Sequence, residues 1–422
     1  LLAALLPASV AFHKRARKDK RNRPKARDIQ SRLAKLQMKR MNITRIPSNS
    51  VLCRIFLTFQ TAGGFLRTAA PFLLAAVVSA PFAFAQSRKP APKPTPKTPQ
   101  FGHWGPSGYH LIRKIAIPGK NSFDQLEFDP VRRRLFLAQG THVLIINPYL
   151  GKIVGNIPDT LGVHDIAFAP ELHRGFITEG QRNDVAILDE RTLKITARVP
   201  TAEGPHAVVY DPSTRRVFTM NPHSNTATAI DAVTGKAIGD IPLGAQASTA
   251  VADGRGHIYI NLQNTSELLE LNARTLAVMN RWPMAPCENP SGLSMDTKRR
   301  VLFAGCRNEK MVIINADTGG ILAAPAAGAN AGTGRFDPAT RYALSANGDG
   351  TLTIVMEAGD NRFSVVENVD TERGARALAL DPKIHEVFLA TADFSPAAPH
   401  APPKMIPGTT HILVFARDYL YQ

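Results

Sequence analysis

Seven positions of this chain recur at a regular interval, and six of them carry side chains capable of chemistry. Asp124, His164, His206, Ser248, Ser291, Gly332 and Arg376 recur about every 40 to 44 residues. Asp124, His164 and His206 occupy three successive units, and Asp165 stands beside His164. One carboxylate and two imidazoles form a donor set for a divalent metal, because imidazole suits Zn, Cu, Fe and Ni. The same three residues read as hydrogen-bonded structural groups, since none sits in the tight spacing of a zinc motif. With Arg376 they would supply the base, metal ligands and oxyanion support of a metal-assisted hydrolase or lactonase. The chain contains no Gly-x-Ser-x-Gly, His-Glu-x-x-His or phosphate-loop motif. No catalytic residue is therefore assigned, and no cofactor is expected beyond such a divalent metal.

These residues need a scaffold that repeats with them. Each lies five residues before the end of a short β-type run that closes on Asp-Pro or a relative. The closing pairs are Asp129-Pro130, Ala169-Pro170, Asp211-Pro212, Asp253-Gly254, Asp296-Thr297, Asp337-Pro338 and Asp381-Pro382. A second β-rich run follows each pair, opened by Arg134, Arg174, Arg216, His257, Arg300, Arg341 or, in the seventh unit, Glu386. A polar turn, a third run and a Thr-Gly-Lys-like turn (Thr234, Gly235, Lys236) then lead to a fourth run ending near Pro. Short β-propensity runs bounded by Gly, Pro, Asn and Asp, with this period, predict the four-stranded blades of an all-β, seven-bladed propeller.

The fourth runs predict how the ring closes. Six lie at residues 153–157, 194–199, 237–241, 277–282, 321–324 and 362–366, while the seventh unit ends at 411–416 without one. An orphan run at 109–117 precedes the first unit. It should pair with the last blade, because an open ring would leave a long unpaired edge. In such a ring the first strand of each blade lines the channel. The polar column would then form a mouth above an apolar set of Leu126, Ile166, Val208, Leu293 and Leu378.

The repeat resembles the YVTN-type, YncE-like propeller family over residues 105–418. The run from Asp211 through Arg216, Val217, Phe218, Thr219 and Asn221 to Asp231, Thr234, Gly235, Lys236 and Pro242 is close to one complete copy. The sixth unit lacks the Thr-Gly-Lys turn, and the seventh carries an insertion at 394–408 that reads as a lid or as a disordered excursion. The resemblance implies a seven-bladed propeller in the periplasm or outside the cell. It leaves function open, with DNA binding suggested for some members.

The formal charge of +17 points first to nucleic acid. Residues 1–85 hold 16 Lys/Arg against Asp19 and Asp28, which is about +14 of that total. The remainder is close to neutral and modest in aromatic residues, which disfavours the basic, aromatic groove of a single-stranded DNA binder. Residues 1–40, which open on Leu1, are expected to be disordered or upstream of a start at Met38 or Met41. Residues 41–85 read as a signal peptide, with Arg45, Arg54 and Arg67, an apolar run at 68–80 and Ala83-Phe84-Ala85 before a cleavage at Gln86. The apolar run is too short for a comfortable membrane span of about 20 residues, so no retained span is expected. Residues 86–104 form a Pro-rich linker.

An exported chain places Cys287 and Cys306 in an oxidising compartment, where they are expected to form a disulfide across the fifth unit; two free thiols are the alternative. A band of Glu179, Asn183, Asn221, His223, Asn225, Asn261, Asn264, Asn308, Asn347 and Asp349 falls in the turns between second and third runs, where backbone geometry alone favours such residues. The resulting expectation is an exported, monomeric, non-catalytic binding propeller. Asp124, His164, His206, Ser248, Ser291 and Arg376 would offer its mouth to a protein partner or small-molecule ligand.

Overall fold

The computed structural model describes residues 105–359, 361–396 and 403–418. The stretches assigned above to an upstream segment, signal peptide and linker lie outside the described residues. Seven antiparallel sheets of four strands each follow one another along the chain. In blade 1 the strands are Leu126–Asp129, Arg134–Gln139, His142–Asn147 and Lys152–Ile157, running from the channel outward. The single turn of 3-10 helix at Pro170–Leu172 is the only helix among the described residues. This is the predicted propeller.

Blade 7 is closed as expected. Its outer strand is Tyr109–Ala116, which pairs with the C-terminal strand His411–Arg417, Tyr109 opposite Arg417 and Ala116 opposite His411. The first and last described strands thus complete one sheet, so no blade is left with an open end. The sixth blade's outer strand runs further than its sequence suggests, over Phe363–Asp370.

The hydrophobic core lies between blades. Phe136, Phe176, Phe218, Tyr259 and Phe388, all on second strands, are wholly buried. One cluster joins Phe218, Met220 and Ala229 of blade 3 to Ile258, Ile260 and Leu269 of blade 4, and similar clusters recur around the ring. At about 25 cal/mol per Å² of apolar surface, each blade is held mainly by its neighbours rather than by itself.

The Asp-Pro ends of the inner strands explain why that pair recurs. Asp129 Oδ1 accepts hydrogen bonds from the backbone N–H groups of Val131 and Arg132, and Asp253, Asp296, Asp337 and Asp381 cap their turns in the same way. Several of these carboxylates also hold the next blade. Arg133 Nη2 reaches Asp381 at 2.5 Å, Arg300 Nη1 reaches Asp253 at 2.8 Å, and His385 Nδ1 lies 2.6 Å from Asp337. Arg133, Arg300 and His385 each have positive φ, so the left-handed turn residue is what aims the side chain at the preceding blade.

Candidate functional site

Counting back along each inner strand leads to the opposite end of the channel. Asp124 precedes the blade 1 strand and is held by its N–H bond to Ala138 O at 3.0 Å. His164 lies within the blade 2 strand Val163–Ala169, where a register shift between Val163 and Ile166 turns it toward the channel. His206 precedes the blade 3 strand, and its backbone is fixed on both sides. Its N–H donates to Met220 O at 2.9 Å, and its carbonyl accepts from Thr178 Oγ1 at 2.7 Å.

These three residues meet. His164 Nδ1 lies 2.6 Å from Asp124 Oδ2, and His206 Nε2 lies 3.8 Å from the same oxygen. The two imidazoles stack with centroids 4.3 Å apart. A Cβ added at Gly180 would fall 2.9 Å from His164 Nε2, so the ring rests on that glycine and turns its Nδ1 edge to Asp124. Burial holds the His206 imidazole below its ordinary pKa, with the Asp124 carboxylate opposing. Each of the three side chains remains about a third exposed, at 35% for Asp124, 34% for His164 and 36% for His206.

Asp124 and His206 line a mouth cavity of about 540 Å³ that Ser248, Ser291, Gly332 and Arg376 also border. Six of the seven column positions thus border one cavity, with unequal parts, and His164 is not in its lining. Ser248 Oγ donates to Pro290 O at 2.8 Å, which commits it to joining blades 4 and 5. Arg376 Nη2 makes a 3.3 Å bond to Ala331 O, and its buried Nε has no hydrogen-bond partner. Burial and the neighbouring Arg307 guanidinium pull its pKa down, while Asp124 works in the other direction. The mouth is thus acidic and imidazole-bearing on blades 1 to 3 and cationic on blades 5 and 7.

Several lining residues escape the repeat. Arg307 stands just past Cys306 in the turn between strands two and three, and its N–H bonds Glu288 O at 3.0 Å. Cys287 and Cys306 form the expected disulfide, which ties the end of that second strand to the segment before the first strand of blade 5. Phe394 and Met405, from the insertion at 394–408, form an antiparallel bridge and border the cavity. Gly374, at φ +81°, leaves room for the Phe394 ring; a Cβ there would sit 2.4 Å from it. The described part of the insertion is therefore a rim of the mouth, with residues 397–402 outside the described residues. The presence of Phe394 and Met405 in an Ala/Pro-rich insertion was the available signal.

One expectation needs correction. The channel below the mouth is not lined by a purely apolar set. Leu126 and Leu378 are wholly buried between blades, while Ile166, Val208 and Leu293 border a second cavity of about 260 Å³ shared with polar groups. Strand alternation is the reason: with one residue of each pair packed between blades, the next faces the channel. Gln125 and Glu127 of blade 1 cross to Thr333 and Arg335 of blade 6, Thr333 Oγ1 donating to Gln125 Oε1 at 2.8 Å and Arg335 pairing with Glu127. The Asp165 carboxyl is pushed up to about 8 by burial and the nearby Glu127 carboxylate, despite N–H bonds from Val208 and Ile166. Asn221, Asn261 and Asn347 of the turn band are buried; Asn221 and Asn347 bond within their own blades, and Asn261 Nδ2 donates to Gly292 O of the next blade at 3.1 Å. They are part of the scaffold.

No family model and no curated protein matches the chain. Solved structures match its fold. U3-55K aligns with a TM-score of 0.61 at 8% identity over 73% of this chain and 99% of that one. The WD40 repeats of RRP9 align at 0.62 and 7% identity over 74% and 98%. A chain of the Mitotic Checkpoint Complex aligns at 0.61 and 14% identity over 81% and 99%. At such identities the likeness establishes the propeller alone.

Proposed function

We propose that this chain is an exported, non-catalytic binding propeller of the YVTN type that captures a small oxyanion-bearing solute, a carboxylate or phosphate, at its channel mouth. One observation carries the reading. Arg376 is largely buried with an unpartnered Nε, beside Arg307, on the rim of a cavity of about 540 Å³. A buried, unsatisfied cation costs folding free energy, so its retention fits a site that is completed by an anion. Export is supported by the signal-like residues 41–85 and by the Cys287–Cys306 disulfide, since disulfides persist in oxidising compartments. The chain is taken to act as a monomer, because its ring is closed by its own strands.

The test is thermal unfolding and calorimetry of the purified chain with phosphate and citrate. A ligand at about 100 times its Kd adds roughly 2.7 kcal/mol to the folded state. Binding that Arg376→Gln abolishes supports the reading. Equal binding by wild type and Arg376→Gln removes it, and leaves a protein partner on the same face as the working alternative. Turnover of a sugar lactone would replace the binding reading with the hydrolase.

A further inference from the structure

Opposite the arginines, the acidic and imidazole wall has a geometry of its own. We infer that Asp124 Oδ2, His164 Nδ1 and His206 Nε2 form a three-ligand site for a divalent first-row transition metal, open toward the mouth, with Arg307 and Arg376 placed to receive the far end of an anion bound to that metal. The inference deepens the binding reading above and rests on it only for the anion.

The argument is geometric. The three donor atoms lie within 4.8 Å of one another, and no other group of three such side chains converges among the described residues. Bonds of about 2.0 to 2.1 Å to a tetrahedral metal require ligand atoms roughly 3.3 Å apart. The observed separations of 2.6 and 3.8 Å from Asp124 Oδ2 bracket that value. The third separation, between the two imidazole nitrogens, lies within 4.8 Å, and the stacked rings must turn their donor edges toward one another to close the site. The backbones are already fixed: Asp124 through Ala138, and His206 through Met220 and Thr178. Two imidazoles and one carboxylate are borderline ligands, suited to Zn, Co, Ni, Cu or Fe rather than to Mg or Ca.

The positions left open face the right place. Asp124 and His206 border the mouth cavity, and three protein ligands leave at least one coordination site for water or an anion. Arg307 and Arg376 share that cavity, and Arg376 lies within electrostatic reach of Asp124. An anion spanning metal and guanidinium would satisfy both walls at once.

The test uses the full chain, free of any histidine tag, stripped with chelator and titrated with Co²⁺ and Zn²⁺. One Co²⁺ per chain is expected, with visible bands of a low-symmetry N/O site, displaced by Zn²⁺. Asp124→Asn, His164→Gln and His206→Gln should each weaken Zn²⁺ binding at least tenfold, while His142→Gln, a histidine of blade 1 outside the cluster, leaves it unchanged. Wild-type protein that takes up no Co²⁺ overturns the inference without any variant, and so does uptake that none of the three substitutions weakens. Phosphate titration with and without Zn²⁺ separates the two readings. Phosphate binding that survives chelator and depends on Arg376 alone keeps the mouth and removes the metal. Co²⁺ binding with no phosphate uptake keeps the metal and removes the oxyanion mouth. Phosphate affinity raised at least tenfold by Zn²⁺ supports both.

Discussion

The two ends of one inner strand are built on opposite terms. At one end stand Asp129, Asp211, Asp253, Asp296, Asp337 and Asp381, buried and nearly identical from blade to blade. At the other, five residues earlier, stand Asp124, His206, Ser248, Ser291, Gly332 and Arg376, which share a position and little else. The first end caps turns and clamps neighbouring blades, so every copy faces the same requirement. The second only has to fill the mouth of a channel, and each blade is free to fill it differently. Uniformity marks where the ring is held together, and diversity marks where chemistry can be placed.

The largest effect should come from breaking the framework end as a whole. Deleting residues 109–116 removes the outer strand of blade 7 and opens the ring, and the expected result is loss of the cooperative unfolding transition rather than a small shift of it. A deletion variant that melts like the full chain would mean that closure contributes little. Next in size is Asp381→Ala. Asp381 accepts from Arg133 and Tyr149 and caps its own turn through Lys383, with its side chain 1% exposed. Removing one partner of a buried pair typically costs about 3 to 5 kcal/mol. Denaturant unfolding of Asp381→Ala and Asp124→Ala side by side tests the contrast directly, with the second expected to lose far less.

That contrast also explains what could be read from the chain beforehand. The Asp-Pro ends announce themselves by repetition, and the missing seventh outer strand identifies the run at 109–117 as its replacement. The mouth column follows by counting from those ends, which sets Asp124, His164 and His206 at equivalent positions on three successive blades. Arg307, Phe394 and Met405 were not reachable that way, because they come from turns and an insertion whose lengths differ between blades. Nor were the contacts of Gln125 and Glu127 with Thr333 and Arg335, which pass over an intervening blade and obey no repeat.

The disulfide belongs to both ends of the comparison, since it staples a blade and anchors the loop carrying Arg307. Its 19-residue separation is worth about 3 kcal/mol in the chain-entropy model. The Cys287→Ala, Cys306→Ala double variant should lose about that much in denaturant unfolding and bind phosphate more weakly. A loss of stability with unchanged phosphate affinity would assign the bridge to the framework alone.

A smaller effect should follow pH at the framework end. Glu190, buried beside Asp129, has its carboxyl pushed up to about 7 by burial and by the Asp129 carboxylate, with Arg132 and Arg134 pulling it back. A folded pKa above the unfolded value means that the folded chain holds a proton the unfolded chain releases. That contribution is complete below about 4.5 and is lost as pH rises through about 7. Glu190→Gln should therefore gain on wild type between pH 5 and pH 8, read as a relative rise in denaturation midpoint. A midpoint difference that stays constant across that range would show Glu190 ionised throughout by its bond to Arg132.

The smallest change in stability is expected at Arg376, and its sign is what sharpens the comparison. Its guanidinium is desolvated, sits near Arg307 and leaves Nε unpaired, so the folded state without ligand carries a cost there. Gln discards the charge along with the long 3.3 Å bond from Nη2 to Ala331 O. Arg376→Gln should leave the melting temperature unchanged or raise it by a degree or two, while phosphate binding is lost. Residues shaped for a ligand commonly trade stability for it, whereas residues shaped for the fold lose stability when replaced. A fall in stability comparable to that of Asp381→Ala would place Arg376 with the framework, and the two ends of the strand would then differ only in sequence.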